Sequence, residues 1–358
     1  MPVLRFWLNS SRALLGTIPA RLPRLKSAAR ITGATFVALV AFAAACSNAT
    51  PRKTGPIDSA RVADSATDSA TDSATDSATD SAADSASSSV LAPHDDFGRP
   101  IPFSLHPRRV VSLNPTTTET IFAIGAGSIL VGRSHWDEWP AAAKAVPDMG
   151  NGIGPNVEVI VAAHPDLVLL YASEDNRAAA AQLESAGIRT VALRIDRVGD
   201  FNRSTRILGR LLDDSVNATV VEDTVNASLA RVQRATDSLP HPTVVWPFMD
   251  TSPMVVGGGS FMNELITIAG ARNVYADLPQ PSPIVSIEDV AARNPSLVIR
   301  GGEGGSTAPL TGVWQAVPAV AAGHIVRVPL TLVLRPSVQM GMAATALARA
   351  LHPGLLLQ

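Results

Sequence analysis

Residues 215–239, SVNATVVEDTVNASLARVQRATDSL, read as one amphipathic helix, and the chain says nearly the same thing on either side of it. Ala218, Val221, Val225, Leu229 and Val232 recur at three- and four-residue intervals, with Glu222, Asp223, Arg231 and Arg234 mostly off that stripe. Pro240 and Pro242 then stop the helix. Before it run RRVVSLNP (108–115), TETIFAIGAGSILV (118–131) and NVEVIVAAHPDLVLL (156–170). After it run PTVVWPF (242–248), NELITIAGARNV (263–274) and SIEDVAARNPSLVIR (286–300). Each half offers an apolar β-branched run, a loop, a helix carrying a glutamate (Glu119, Glu264), and a second helix opening near another (Glu158, Glu288). A proline (Pro165, Pro295) closes that second helix and a strand follows directly. Self-similarity of this kind predicts two similar β/α lobes facing each other across a cleft, joined by the one helix.

At 358 residues the chain is long enough for two ordinary domains. A formal charge of −2, from 29 basic and 31 acidic residues, gives no electrostatic reason to expect nucleic acid as a partner. The single cysteine, Cys46, excludes an intrachain disulfide framework.

What precedes Cys46 explains it. Arg5, Arg12, Arg21, Arg24, Lys26 and Arg30 make a basic region, and ITGATFVALVAFAAA (31–45) is an unbroken small and apolar run. This is the pattern of a secretory signal, and small residues directly before a cysteine resemble a bacterial lipobox. Residues 1–45 are therefore expected to be a signal peptide, with Cys46 the lipidated first residue of the mature chain. A plain signal peptide and a short membrane anchor are the alternatives, although about 15 apolar residues are short for a span. Residues 46–105 continue it as a tether, with Asp-Ser-Ala-Thr repeated from Asp64 and nothing to offset the entropy of ordering. As a flexible coil, the roughly 45 residues from 47 to about 92 reach roughly 35–40 Å. The folded body then divides into an N-terminal lobe (106–214), the bridging helix (215–239) and a C-terminal lobe (240–358).

Within that body the candidate site residues stand at strand ends, where an open α/β sheet presents its ligand crevice. Trp136 lies in the loop Ser134-His135-Trp136-Asp137-Glu138-Trp139-Pro140, Tyr171 ends the next strand, and Trp246 and Phe248 follow a strand of the second half. In a chain only 4% aromatic these placements are informative. Trp139 and Trp314 read as packing, and His135 has no companion ligands at a metal-site spacing, so no metal site is expected. Thr116, Thr117 and Thr118 can cap the helix of Glu119. Gly257-Gly258-Gly259 sits between strand and helix, yet the chain has neither G-x-G-x-x-G nor a P-loop lysine, which speaks against a nucleotide. Leu334-Arg335-Pro336-Ser337 is expected to open a closing helix that runs to Leu351.

In order and spacing, RRVVSLNPTTTETIFAIGAG, VGRSHWDEWP, PNVEVIVAAHPDLVLL, VSIEDVAARNPSLVI and the closing Leu-Arg-Pro-Ser resemble the periplasmic binding proteins of cobalamin, ferric-siderophore and haem ABC importers. The resemblance covers about residues 106–353. It implies an α/β fold of two Rossmann-like lobes with central sheets, bridged by one long α-helix that allows little hinge motion, with the ligand in the cleft between the lobes. It implies a non-enzymatic receptor, monomeric and without a resident cofactor, that captures a metal chelate and hands it to an ABC permease and its ATPase. Residue by residue, Trp136, Tyr171, Trp246, Phe248 and Arg335 fall at cleft positions, and Glu158 and Glu288 match the glutamates that dock on permease arginines. Gly152 and Ser282 stand where a cobalamin-binding relative has tryptophans. An α/β enzyme using the same cleft remains an alternative, although the chain lacks a G-x-S-x-G elbow and paired catalytic carboxylates. A protein-binding scaffold that keeps the fold is another.

Overall fold

The computed structural model describes residues 94–248, 253–302 and 310–357, and these fall within one unit. The expected signal, Cys46 and most of the expected tether lie outside the described residues. In chain order the N-terminal lobe comprises β1 (Val110–Ser112), α1 (Pro115–Ile124), β2 (Leu130–Arg133), α2 (Val157–Ala162), β3 (Leu167–Tyr171), α3 (Asp175–Ser185), β4 (Arg189–Leu193) and α4 (Val198–Leu211). The helix α5 (Ser215–Thr236) follows. Then come β5 (Thr243–Val245), α6 (Phe261–Ile268), β6 (Arg272–Asn273), α7 (Ile287–Arg293), β7 (Leu297–Gly301), α8 (Pro318–Ala321), β8 (Ile325–Val328), α9 (Leu330–Val333) and α10 (Met340–Leu351).

Each lobe is a four-stranded parallel sheet, ordered β2-β1-β3-β4 in one and β6-β5-β7-β8 in the other. The two orders are the same pattern, so the sequence repeat is a repeat of topology. Strands buried on both faces need continuous apolar runs, and Leu167, Val168, Leu169 and Leu170 are fully buried in β3. Parallel pairing places Val110 opposite Leu167 in one lobe and Val244 opposite Leu297 in the other. It also aligns the carboxyl ends of the strands, from which the loops into the cleft emerge.

The five stripe residues of α5 are all buried, from Ala218 to Val232. Because α5 packs on α1 and α4 from one lobe and on α6 and α10 from the other, one helix serves both cores. It ends at Thr236, short of the expected 239. Pro240 disfavours helical geometry in the residue before it, and the Thr236 hydroxyl, 3.1 Å from the Ile268 carbonyl, ties the last turn to α6.

The closing helix also departs from expectation. It begins at Met340 rather than near 334, after the separate short helix α9. Arg335 precedes Pro336 and is pushed away from helical geometry. The Pro336 carbonyl accepts from the Thr116 hydroxyl of the other lobe at 2.7 Å, and the Ser337 hydroxyl accepts from the Gln339 amide at 3.1 Å. The intervening link is thereby fixed as a non-helical strap across the lobes.

Candidate functional site

The cleft between the lobes has a volume of about 530 Å³ and is lined from both sides. Leu113, Asn114 and Thr116 come from the β1–α1 turn, and Ser260, Phe261 and Met262 from the equivalent start of α6. A larger groove of about 790 Å³ runs between α5 and α10, on residues such as Arg231, Arg234 and Arg349. It contains none of the strand-end loops, and the cleft is the better candidate because both lobes aim those loops into it.

Trp136 stands at the cleft with 64% of its surface exposed, far more than packing would leave. The loop that presents it hangs on Asp137, which is fully buried. The Asp137 carboxylate accepts from the Thr118 hydroxyl at 2.5 Å, from the Ser134 amide at 3.2 Å and from the Ser134 hydroxyl. Burial pushes this carboxyl above its ordinary range, against the pull of those donors. The three threonines therefore cross-link the interior instead of capping α1, whose N-cap is Asn114, accepting from the Thr116 amide at 3.0 Å. His135 turns away to Asp148, with Nδ1 3.0 Å from its carboxylate. Among the described residues no group of His, Cys, Asp or Glu side chains could hold a metal ion.

Tyr171 lines the cleft and donates its hydroxyl to Asp196 Oδ1 at 2.6 Å. Burial, followed by the Asp196 carboxylate, pushes the phenol well above its usual range. Beside it, fully buried Asn176 donates to the Gly152 and Tyr171 carbonyls at 3.0 and 2.9 Å and accepts from the Gly154 amide at 2.9 Å. Asn176 shapes the loop that carries Ile153, and nothing in its sequence neighbourhood marked it. Gly152 is required by close approach, since a Cβ there would lie 2.4 Å from the Leu113 carbonyl oxygen.

Trp246 and Phe248 part company. Phe248 lines the cleft and is 37% exposed, whereas Trp246 is fully buried in the core that both lobes share. The cause is a short antiparallel pairing: the Val256 amide donates to the Trp246 carbonyl at 3.0 Å and the Phe248 amide to the Met254 carbonyl at 2.8 Å. That pairing turns the indole inward, so the expectation of Trp246 as a ligand contact is corrected to a packing role. The glycines that follow are there for the backbone. A Cβ on Gly257, Gly258 or Gly259 would fall 2.1–2.2 Å from the carbonyl oxygens of Gln280, Ala276 and Pro279. The amides of Gly257 and Gly258 already donate to protein carbonyls, so they offer nothing to a phosphate.

Arg335 lines the cleft, but its guanidinium is held by Glu119 of the opposite lobe, with Nε and Nη2 at 3.1 and 2.5 Å from Oε1. Glu119 is fully buried and also accepts from Gln339 Nε2 at 3.1 Å. Burial pushes its carboxyl up, with Arg335 pulling against it. A second pair mirrors the first: Arg197 Nη1 lies 3.0 Å from Glu264 Oε1, and the Val198 amide donates to Glu264 Oε2 at 2.9 Å. In each pair the glutamate sits on the first helix of its lobe and the arginine follows the fourth strand of the other. The lobes thus exchange glutamate–arginine pairs of the same topology, the Glu119 pair being the more deeply buried.

Glu158 and Glu288 occupy equivalent first turns, of α2 and α7, and both are exposed. The capping oxygens come from their neighbours: Asn156 accepts from the Glu158 amide at 3.0 Å and Ser286 from the Asp289 amide at 3.1 Å. The Glu288 carboxyl is held below its usual range by its own amide and the Ser286 hydroxyl.

Residues 110–331 match the family described as Periplasmic binding protein. The chain belongs to that family. Among the relatives of this family member is the vitamin B12-binding protein of Pectobacterium carotovorum subsp. carotovorum (strain PC1), 28% identical over 223 residues, or 61% of this chain and 81% of that protein. Among solved structures, the periplasmic heme-binding protein RhuT from Roseiflexus sp. RS-1 superimposes with a TM-score of 0.61 at 23% identity, covering 68% of this chain and 97% of that one. The periplasmic vitamin B12-binding protein BtuF of Vibrio cholerae gives 0.58 at 20% identity, covering 68% and 96%. At these identities the solved structures establish a common fold: two α/β lobes with a central cleft.

Proposed function

We propose that this family member is an extracytoplasmic receptor of an ABC importer, anchored by lipid at Cys46, which captures a metal chelate in the inter-lobe cleft and delivers it to the permease and its ATPase. In this reading residues 1–45 are removed, residues 46–105 tether a monomeric body, and the lobes are 106–214 and 240–358 around the helix of 215–239. The observation that carries it is the opposition across one cleft of exposed Trp136 from the N-terminal lobe and Phe248 from the C-terminal lobe. Two aromatic surfaces facing a common space suit a flat or apolar-faced chelate, and each contact is worth about 0.5–1.5 kcal/mol beyond area burial. The relatives named for vitamin B12 binding support a chelate as the cargo. Tyr171 and Arg335 complete the expected contacts, while Trp246 supports the wall from behind.

Titrating the protein with cobalamins, haem and ferric chelates tests the reading. At least one should bind, and Trp136→Ala should weaken it several-fold with the fold unchanged. Binding of none by folded protein would refute the proposal. For docking, Glu158 and Glu288 both stand exposed on equivalent first turns, where Asn156 and Ser286 supply capping oxygens. Replacing both glutamates with alanine should abolish uptake while leaving ligand affinity and melting temperature nearly unchanged; normal transport by that variant would return them to a helix-terminus role.

A further inference from the structure

The charge balance of the cleft becomes visible only once the chain is folded. Among the described lining residues Arg335 is the one basic side chain and Asp196 the one acidic. Arg335 is not available as a free cation. Its partner Glu119 is buried with only 1% of its side chain exposed, so a ligand carboxylate that drew Arg335 away would leave a buried charge unpaired.

Asp196, by contrast, has no cation paired with it among the described residues. The donor it accepts from is the neutral Tyr171 hydroxyl, and its own backbone amide goes to a second carboxylate, Asp200 Oδ2, at 3.0 Å. Of the neighbouring arginines, Arg194 donates Nη2 to the Ala172 carbonyl at 3.1 Å. Arg197 pairs with Glu264, and Arg203 lies 2.7 Å from Asp96 but 4.0 Å from Asp200. Among the described lining residues, Asp196 is therefore the charge left without an ion pair.

The rest of the wall is uncharged, with amides and hydroxyls from Asn114, Thr116, Ser134, Asn151, Ser260 and Ser282 beside the aromatic faces. Asn114 is 6% exposed, and its Nδ2 has no hydrogen-bond partner among the described residues, which leaves a donor unfilled at the cleft.

We propose that Asp196, held by Tyr171, together with the Glu119-neutralised Arg335, makes the cleft a charge filter that admits uncharged or cationic metal chelates with amide-type rims and turns away anionic ones. This rests on the reading of the cleft as a chelate site. Dipropionate porphyrins and ferric tris-catecholates carry the charge that the filter rejects. Amide-rimmed corrinoids and uncharged ferric trihydroxamates share the chemistry that it accepts. The same pair disfavours Tyr171 as a phenolate ligand to ferric iron, because a phenol donating to a carboxylate loses its proton less readily.

The test is a titration of the purified full chain with cyanocobalamin, a neutral ferric trihydroxamate, hemin and a ferric tris-catecholate. One uncharged chelate should bind at least about 100-fold tighter than either anion, and which one identifies the source of the amide-type rim. Asp196→Asn keeps an acceptor for Tyr171 and removes the charge. It should tighten the anions about tenfold, the order expected for one charge in a partly hydrated site, and change the uncharged ligand less than about threefold. Ser282→Arg adds a cation at an exposed lining position and should act in the same direction, which preserves the test if Asp196→Asn fails to fold. Anions binding as tightly as uncharged chelates, or a folded variant with unchanged preference, would overturn the filter while leaving chelate capture standing. Binding of no chelate at all would overturn both.

Discussion

Replacing Glu119 with glutamine while keeping Arg335 isolates the charge of the buried cross-lobe pair. Glutamine conserves volume, so no cavity term enters, and it can still accept from Gln339. What is lost is a charge-assisted bond from Arg335, whose side chain is 25% exposed and can partly rehydrate. A hydrogen bond to a charged group contributes about 1.5–3 kcal/mol, so the expected loss is about 2 kcal/mol. For a domain of this size that corresponds to a melting-temperature drop of about 4–8 °C. Arg335→Gln should cost more, about 3–5 kcal/mol near neutral pH, because it leaves a fully buried carboxylate without a cation. Its pH dependence has a defined sign. Burial already raises the Glu119 carboxyl above its ordinary 4.5, and loss of Arg335 removes the largest opposing influence. A group with a raised folded-state pKa contributes its stability below the unfolded value and loses it as pH rises through the folded one. Arg335→Gln should thus recover stability on acidification from pH 8 towards pH 5, relative to the native protein. Urea unfolding of both single variants and the double gives the coupling directly, expected at about 2 kcal/mol. Single variants each within about 0.5 kcal/mol of the native protein, and additive in the double, would refute the reasoning.

Three further outcomes follow from the geometry. Trp246→Ala should destabilise by about 3–5 kcal/mol by emptying a core site, whereas Phe248→Ala should leave the unfolding midpoint nearly unchanged and weaken chelate binding; the reverse pattern in melting and titration would contradict the inward turn of the indole. Asp148, held below its ordinary 3.8 by the Gly150 amide and then by His135, contributes stability above that value and loses it as pH falls through its folded pKa. Asp148→Asn should therefore differ most from the native protein near neutral pH, and the two acid-unfolding curves should converge at low pH. Small-angle scattering with and without saturating chelate should nearly superimpose, since α5 and two ion pairs join the lobes; a fall of several ångströms in radius of gyration would mean a hinge.

The architecture was legible because its determinants are local and repeated. The stripe of α5, the proline stops at Pro165 and Pro295 and the apolar runs of β3 and β7 each announce an element within a short window. Much of the cleft was legible for the same reason, since strand ends are where loops meet ligands. What escaped were features set by long-range pairing. Glu119 and Arg335 lie 216 positions apart, and each has a satisfactory local reading as a helix residue or a helix start. Trp246 and Phe248 looked alike as residues after one strand, and only the bridge to residues 254–256 decides which turns inward. The glycine triplet read as no nucleotide loop, but its cause, a neighbouring stretch of backbone passing within van der Waals reach, was not visible in the sequence.

The mirrored glutamate–arginine pairs bear on how such a molecule could be divided. Each lobe offers a glutamate from its first helix and receives it with an arginine after its fourth strand, so each is the natural counterpart of the other. This is the self-complementary logic of an isologous dimer, in which one patch meets a copy of itself. A lobe severed near residue 240 would carry an acid without its base and a base without its acid, an incomplete half in search of a twin. The bridging helix turns that search into an intramolecular encounter, independent of concentration. In effect the protein is a dimer of lobes written in one chain.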